Sequence, residues 1–177
     1  MLKLLRPSSL YLFSALAACE EYTSDKSTFQ IMAVDKMIEG LKNNPDDYFQ
    51  KLYKEENGID LKSGWVPATT FWLIDDDQYI GSFVLRHALT DELKLRGGHI
   101  AYQIRPSKCR QGYATKGLLL CLSEALKLGL DQVLITCRED NIASYKTIMK
   151  AMIKMGGHEI ALSETDGHKN HRVWIKT

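Results

Sequence analysis

Surplus charge of either sign is missing: 23 Lys and Arg stand against 22 Asp and Glu in 177 residues, a formal net charge of +1. Nucleic-acid binding by phosphate neutralisation needs a basic face, and this balance gives it no support. Cysteine is scarce. Cys19, Cys109, Cys121 and Cys137 are scattered, with no C-x-x-C pair and no histidine at zinc spacing, so neither a metal centre nor a disulfide framework is implied. A reducing, cytoplasmic setting is expected. No apolar run is long enough to span a bilayer, and no repeat or low-complexity segment appears. What remains is 45% hydrophobic and 25% charged residues, the make-up of a single domain over residues 1–177 with a core of its own.

The N-terminus admits two readings. Lys3 and Arg6 precede the apolar run Leu10 to Ala18, and Leu16-Ala17-Ala18-Cys19 looks like the cleavage box of a bacterial lipoprotein signal. In the other reading Met1 to Leu5 is a first strand, Pro7-Ser8-Ser9 a turn, and Leu10 to Thr23 an amphipathic helix with Leu12, Leu16 and Cys19 along one side. The second is preferred, because the apolar run is short and helix-forming sequence continues past Cys19, and no membrane partner is then expected.

Asp25 to Asn57 reads as helical with breaks: Ile31, Val34, Ile38 and Leu41 recur at helical spacing, and Pro45 with Asp46 and Asp47 suits the first turn of a second helix. Ala68 to Ile74 and Tyr79 to Leu89 read as a hairpin around Asp75-Asp76-Asp77-Gln78, a solvated turn rather than a metal site. Thr90 to Arg96 is a helical turn. Gln132 to Cys137 reads as a buried strand, Asn141 to Lys154 as a helix stopped by Gly156-Gly157, and His158 to Leu162 and Arg172 to Lys176 as the last strands. This order predicts an α+β fold around a mixed, mostly antiparallel central sheet flanked by helices.

The chemistry concentrates between Gly97 and Leu130. The apolar segment Ile100 to Ile104 is followed by Arg105-Pro106-Ser107-Lys108-Cys109-Arg110-Gln111-Gly112-Tyr113-Ala114-Thr115 and then by a Leu-rich run, which reads as strand, turn and helix start. Gly112 permits a positive φ or a close approach, Ala114 keeps the next turn small, and a helix opening here directs free N–H groups and its positive dipole end outward. A diphosphate suits such a turn.

Strand, turn, helix, an apolar strand ending in Thr136-Cys137, and Asn141-x-x-Ser144 opening another helix together resemble the GNAT family of acyl-CoA-dependent N-acetyltransferases. The resemblance covers residues 65–177 and is densest from Tyr102 to Ser144. It implies acetyl-CoA as co-substrate, no metal, and two strands splayed apart at the acyl-CoA site. It also implies that Arg110, Gln111, Gly112, Tyr113, Ala114 and Thr115 wrap the CoA diphosphate, that Gln103 and Ile104 bind the pantetheine arm through their main chain, and that Asn141 and Ser144 complete the cofactor site. Two positions depart from the family pattern: Cys109 stands where Gln or Arg is usual, and Ile148 stands seven residues after Asn141, where many members carry a tyrosine acid. The branch acting on protein N-termini and related amines also lacks that tyrosine and has Asn-x-x-Ser.

Tyr145, one turn before Ile148 on the same helix face, is the candidate substitute acid, with a packing tyrosine as the alternative. His99, where that branch often carries Glu, is the first candidate base because imidazole titrates near neutrality; His87 is the second. The N-terminal helices, residues 10–57, and the hairpin are expected to form part of the acceptor site, with Trp65, Trp72 and Tyr53 as aromatic candidates. Trp65 to Trp72, Leu85-Arg86-His87 and Gly97 to Ile100 resemble a bacterial branch of the family. The expected activity is direct transfer of an acetyl group from acetyl-CoA to a primary amine, on a small molecule or a peptide N-terminus. A non-catalytic acyl-CoA-binding module on the same fold is the alternative, and pairing into a homodimer is left open.

Overall fold

The computed structural model describes residues 1–25 and 31–177, so the part of the expected helical segment that falls on 26–30 lies outside the described residues. A first strand β1 (Lys3–Leu5) leads through a 3-10 turn into α1 (Leu12–Ser24). Ala15, Ala18, Cys19 and Tyr22 form the buried stripe of α1, so Cys19 is a core residue of a helix. Next come α2 (Met32–Asn43) and α3 (Pro45–Glu56). The second starts where proline chemistry requires: Pro45 occupies the first turn, and the Asn44 side chain accepts the Asp47 N–H at 3.2 Å.

The hairpin consists of β2 (Ala68–Asp75) and β3 (Gln78–Arg86), and at its tip Asp76 and Asp77 both take positive φ, which Asp tolerates better than most residues. The short helix α4 (Asp91–Leu95) is capped by the Thr90 hydroxyl, and β4 (Ile100–Ile104), α5 (Tyr113–Lys127), β5 (Gln132–Arg138) and α6 (Ile142–Met155) follow. The chain ends in β6 (Gly157–Thr165) and β7 (His168–Lys176). These two are longer than their hydrophobic pattern predicts. Ladder pairing carries them through the polar stretch from Ser163 to Asn170, past the part that covers the core.

The strands form two sheets, ordered β1-β2-β3-β4 and β5-β7-β6, and every ladder among the described residues is antiparallel. Both faces of β2 and β3 are covered, which explains their near-continuous apolar sequence. Phe71, Leu73, Phe83 and Leu85 pack with Leu118 and Leu122 of α5 and Ile148 of α6. On the opposite face Trp72, Ile74 and Tyr79 pack with α1, α2 and α3 through Tyr22, Met37 and Tyr48. Each such side chain contributes about 1.5–3 kcal/mol by leaving water. Gly117 brings α5 so close to β3 that a Cβ there would lie 2.4 Å from the Phe83 ring.

The sheets touch where β4 begins. The His99 N–H donates to the Leu134 carbonyl at 2.7 Å, and the Leu134 N–H donates to His99 Nδ1 at 2.9 Å. In a continuous sheet a strand carbonyl would take that Leu134 N–H; here an imidazole does, and beyond this point β4 and β5 part. The α+β fold with a splayed strand pair is therefore present, and the splay is complete enough that the two strands share no ladder. No helix among the described residues is long and apolar enough to cross a membrane.

Candidate functional site

The register of β3 against β4 decides which main-chain groups face the splay. Arg86 N–H donates to the His99 carbonyl and Arg105 N–H to the Ile80 carbonyl, which makes Arg86/His99, Val84/Ala101, Ser82/Gln103 and Ile80/Arg105 the hydrogen-bonded pairs. The N–H and C=O of Gln103 therefore point at Ser82. Those of Tyr102 and Ile104 point the other way, into the gap between the sheets. The main chain of Ile104 is thus turned away from β3, whereas the Gln103 side chain is engaged elsewhere: Gln103 Oε1 accepts the Ile31 N–H at 2.7 Å and holds the start of α2 against β4.

The turn after β4 has an open front. Arg110 (φ 60°) and Gly112 (φ 81°) both take left-handed backbone, and a Cβ added at Gly112 would meet nothing within 4 Å, so glycine is required there by conformation rather than by crowding. No side chain caps α5, and its first backbone donor with a helical acceptor is Lys116, bonded to the Gly112 carbonyl. The N–H groups of Tyr113, Ala114 and Thr115 precede it and have no acceptor within the helix. Residues Cys109 to Gly112 are exposed, no acidic residue lies in the first turn of α5, and the groups suit an anion such as a diphosphate. The Gln111 side chain donates back to the Ser107 carbonyl, and the Tyr113 hydroxyl donates to Asp75 at 3.0 Å. Among the described residues the Cys109 thiol makes long contacts, 3.6 and 3.8 Å, to the carbonyls of Arg105 and Ile104.

Glu21 of α1 fastens this turn, a contact that nothing near it in sequence announces. Its carboxylate accepts the Ser107 N–H and hydroxyl, both at 3.0 Å, and the Arg105 guanidinium at 2.6 Å. Burial works to raise the pKa of Glu21, but Ser107 and Arg105 outweigh it and hold the carboxyl below its usual range.

Asn141 caps α6 by accepting the Ser144 N–H at 3.1 Å. The Ser144 hydroxyl lies 3.0 Å from the Tyr102 hydroxyl, so the phenol of β4 reaches the first turn of α6. Burial pushes the Tyr102 phenol up to about 12, against the pull of Ser144 and Thr147. Tyr145 is placed differently. Its hydroxyl donates to Glu159 of β6 at 3.1 Å, which raises its pKa, and its ring stacks on His171 at 4.1 Å. Glu159 also meets His171 Nδ1 at 2.6 Å, so Tyr145 belongs to a polar cluster on β6 and β7.

His99 is 6% exposed. Burial, with the Arg86 charge adding to it, lowers its imidazole to about 4, and its Nδ1 lone pair is taken by Leu134. What His99 does in the structure is join the sheets. His87 bonds Thr69 through Nε2 at 2.9 Å, and neither residue lines the cavity described next.

A cavity of about 380 Å³ opens on the face of β2–β4 opposite α5. Thr70, Val84 and Ala101 form its floor, and α2, α3, α4 and the loop before β2 form its walls. Lys36 of α2 pairs with Glu55 of α3 at 2.6 Å and lies 4.4 Å over the Trp65 ring. Trp65 thus lines the cavity, whereas Trp72 is fully buried beneath the N-terminal helices and Tyr53 is 59% exposed and outside the lining. Among the described residues no cluster of His, Cys, Asp and Glu could hold a metal ion.

No curated protein matches this sequence. The fold is shared with solved structures at low identity. The microcin self-immunity acetyltransferase MccE, in complex with acetyl-CoA and AMP, is 12% identical with a TM-score of 0.65, covering 99% of this chain and 92% of its own. A GNAT acetyltransferase from Streptococcus pneumoniae is 11% identical with a TM-score of 0.61 and covers 99% of each chain. The spermidine/spermine N-acetyltransferase SpeG from Vibrio cholerae, solved in mutant forms, is 13% identical with a TM-score of 0.58, covering 99% of this chain and 95% of its own. The sequence model of one family, described as an acetyltransferase (GNAT) domain, matches residues 6–153. That match takes in the open edge of β4, the turn with Gly112 and the Asn141-capped helix, and by it the chain belongs to the GNAT acetyltransferase family.

Proposed function

We propose that the chain transfers an acetyl group from acetyl-CoA directly to a primary amine held in the cavity over β2–β4. The observation that carries this reading is the edge of β4 turned away from β3, where among the described residues the N–H groups of Tyr102 and Ile104 have no strand partner and lead straight to the anion-suited turn at Gly112. The diphosphate lies against the amides of Tyr113, Ala114 and Thr115, and the pantetheine arm follows β4 as an added strand would. The Ile104 N–H is preorganised to receive the thioester oxygen as charge develops on it. The amine nitrogen attacks the thioester carbon, the carbon–sulfur bond breaks, the nitrogen gives up a proton, and the leaving thiolate takes one.

Tyr102 is the proton donor in this reading. Its hydroxyl sits at Ser144, one turn before Ile148, so a phenol from β4 reaches the region where many members of the family carry a tyrosine and this chain has Ile148. The Ser144 hydroxyl relays a proton from solvent back to the phenol, and the amine proton leaves to solvent. His99 positions the two strands and does not take the amine proton, because its Nδ1 is occupied.

Calorimetry with acetyl-CoA and thiol release with a panel of amines test the reading together. Saturable heat and amine-dependent thiol release are expected. Heat without release on any amine would instead support the acyl-CoA-binding module. Tyr102→Phe is expected to lower kcat by about 100-fold, the usual scale of a general acid, with little change in acetyl-CoA affinity. An unchanged kcat would remove Tyr102 from the chemistry.

A further inference from the structure

Arg86 projects from β3 onto the cavity face, two residues beyond Val84 of the floor and paired with Ala68. Its Nη1 donates to the carbonyls of Gly97 and Gly98 at 3.2 and 3.0 Å. A guanidinium has five N–H donors, and among the described residues those on Nε and Nη2 meet no hydrogen-bond acceptor in the protein. No carboxylate of those residues lies within 4.0 Å of it either. Arg6, Arg96, Arg105 and Arg138 behave otherwise, each closing on a carboxylate: Glu56, Asp166, Glu21 and Asp140. Burial pulls the Arg86 pKa down, as expected of a cation with no counter-charge.

The other charges of the cavity do not compensate it. Lys36 and Glu55 neutralise each other, and Glu92 sits at the exposed edge. A partly buried, unmatched guanidinium with donors to spare is a site for a planar or tetrahedral oxyanion, which it binds through two parallel hydrogen bonds.

We propose that the acceptor is bifunctional: besides its amine it carries a carboxylate or phosphate, and Arg86 binds that group in the cavity. The proposal rests on the acetyl-transfer reading and adds the acceptor's class to it. The strand rows set the spacing. Arg86 shares a row with Ala68 and His99, Val84 with Thr70 and Ala101, and Ser82 with Trp72 and Gln103, beside the free edge at Tyr102 and Ile104. Rows two residues apart are separated by about 7 Å, so the edge at Tyr102 and Ile104 stands about one and a half to two and a half rows from the Arg86 row, a gap that the arginine side chain and an acceptor chain of several bonds span together. The apolar walls at Val66 and Leu93 cover that chain.

The test compares thiol release from β-alanine, 4-aminobutyrate, 6-aminohexanoate and phosphoethanolamine with that from propylamine, butylamine, hexylamine and ethanolamine at saturating acetyl-CoA. At least one oxyanion-bearing amine is expected to exceed its counterpart about tenfold in kcat/KM, expressed in KM. That ratio is expected to fall to near one in Arg86→Gln and to be partly kept in Arg86→Lys, which retains the cation. No preference in the native protein, or a preference that survives Arg86→Gln, overturns the proposal. If no amine releases thiol, the transfer reading fails by itself and binding decides the anion site: propanoate and methyl phosphate are titrated while the arginine Nε resonances are followed by NMR. A saturable shift of one resonance, absent in Arg86→Gln, upholds the site, and no shift removes it. Propanoate alone producing the shift names a carboxylate, and methyl phosphate alone a phosphate.

Discussion

Along its free edge β4 offers main-chain groups of Tyr102 and Ile104, and beyond them the amides at the head of α5; over its cavity face the same sheet offers side chains, with Arg86, Trp65 and the Lys36–Glu55 pair around a small-residue floor. The edge is made of backbone and depends on side chains only for conformation and support. On the proposed reading Cys109 therefore needs no side-chain contact with the cofactor. The cavity is made of side chains, so its chemistry changes with each substitution. On the proposed reading, one half of the site serves any acyl-CoA and the other selects an acceptor.

The strongest way to break this contrast is to disturb the backbone itself. Gly112→Val places a β-branched residue in a left-handed conformation that costs ordinary residues about 1–2 kcal/mol, and the turn is expected to leave it, re-aiming the α5 amides. Acetyl-CoA affinity measured by calorimetry is expected to fall at least about tenfold, with the fold retained because the space in front of Gly112 is open. Unaltered affinity would mean that side chains hold the cofactor after all.

A milder perturbation tests the support. Glu21→Ala removes the carboxylate that holds Ser107 and Arg105, and a loss of roughly threefold to tenfold in acetyl-CoA affinity is expected, since charge-assisted bonds at a partly exposed site contribute about 1 kcal/mol. No change would detach α1 from the turn's function.

The last prediction concerns the joint between the two halves and is read in stability rather than in cofactor affinity. His99 titrates near 4 when folded and near its ordinary value of 6.5 when unfolded. Its depressed value favours the neutral folded form, so the contribution to stability is complete above about 6.5 and is lost as pH falls toward 4. Urea unfolding at pH 7.5 and 5.0 is expected to show a steeper acid loss for the native protein than for His99→Asn, which can still accept the Leu134 N–H but does not titrate. Equal slopes would show that the imidazole is not held neutral at the joint.

The same division between backbone and side chain explains what the sequence reveals. The hairpin around Asp76 and Asp77, the Pro45-headed helix, the Asn141 cap and the strand–turn–helix at Gly112 are local events, each announced by residues within a few positions of one another. The hydrogen-bond parity of β4 is not announced, because it depends on how β3 pairs with it; that is why Gln103 reads as an edge residue and Tyr102 does not. Long-range partners are less legible still. Glu21 meets Ser107 across 86 residues and Tyr102 meets Ser144 across 42, and His99 looks like a base until Leu134 is brought to it.

The joint at His99 also has a geometrical consequence. Among the described residues the sheets are joined where β4 begins, and like the legs of a pair of dividers their separation at any point depends on the angle at the pivot and the distance from it. Gly98 has no side chain at that pivot, and a Cβ there would lie 2.4 Å from the Leu134 carbonyl. The width of the gap near Ile104 is thus governed by atoms several residues away, and a methyl group added at Gly98, whose carbonyl also holds Arg86, is a lever on it.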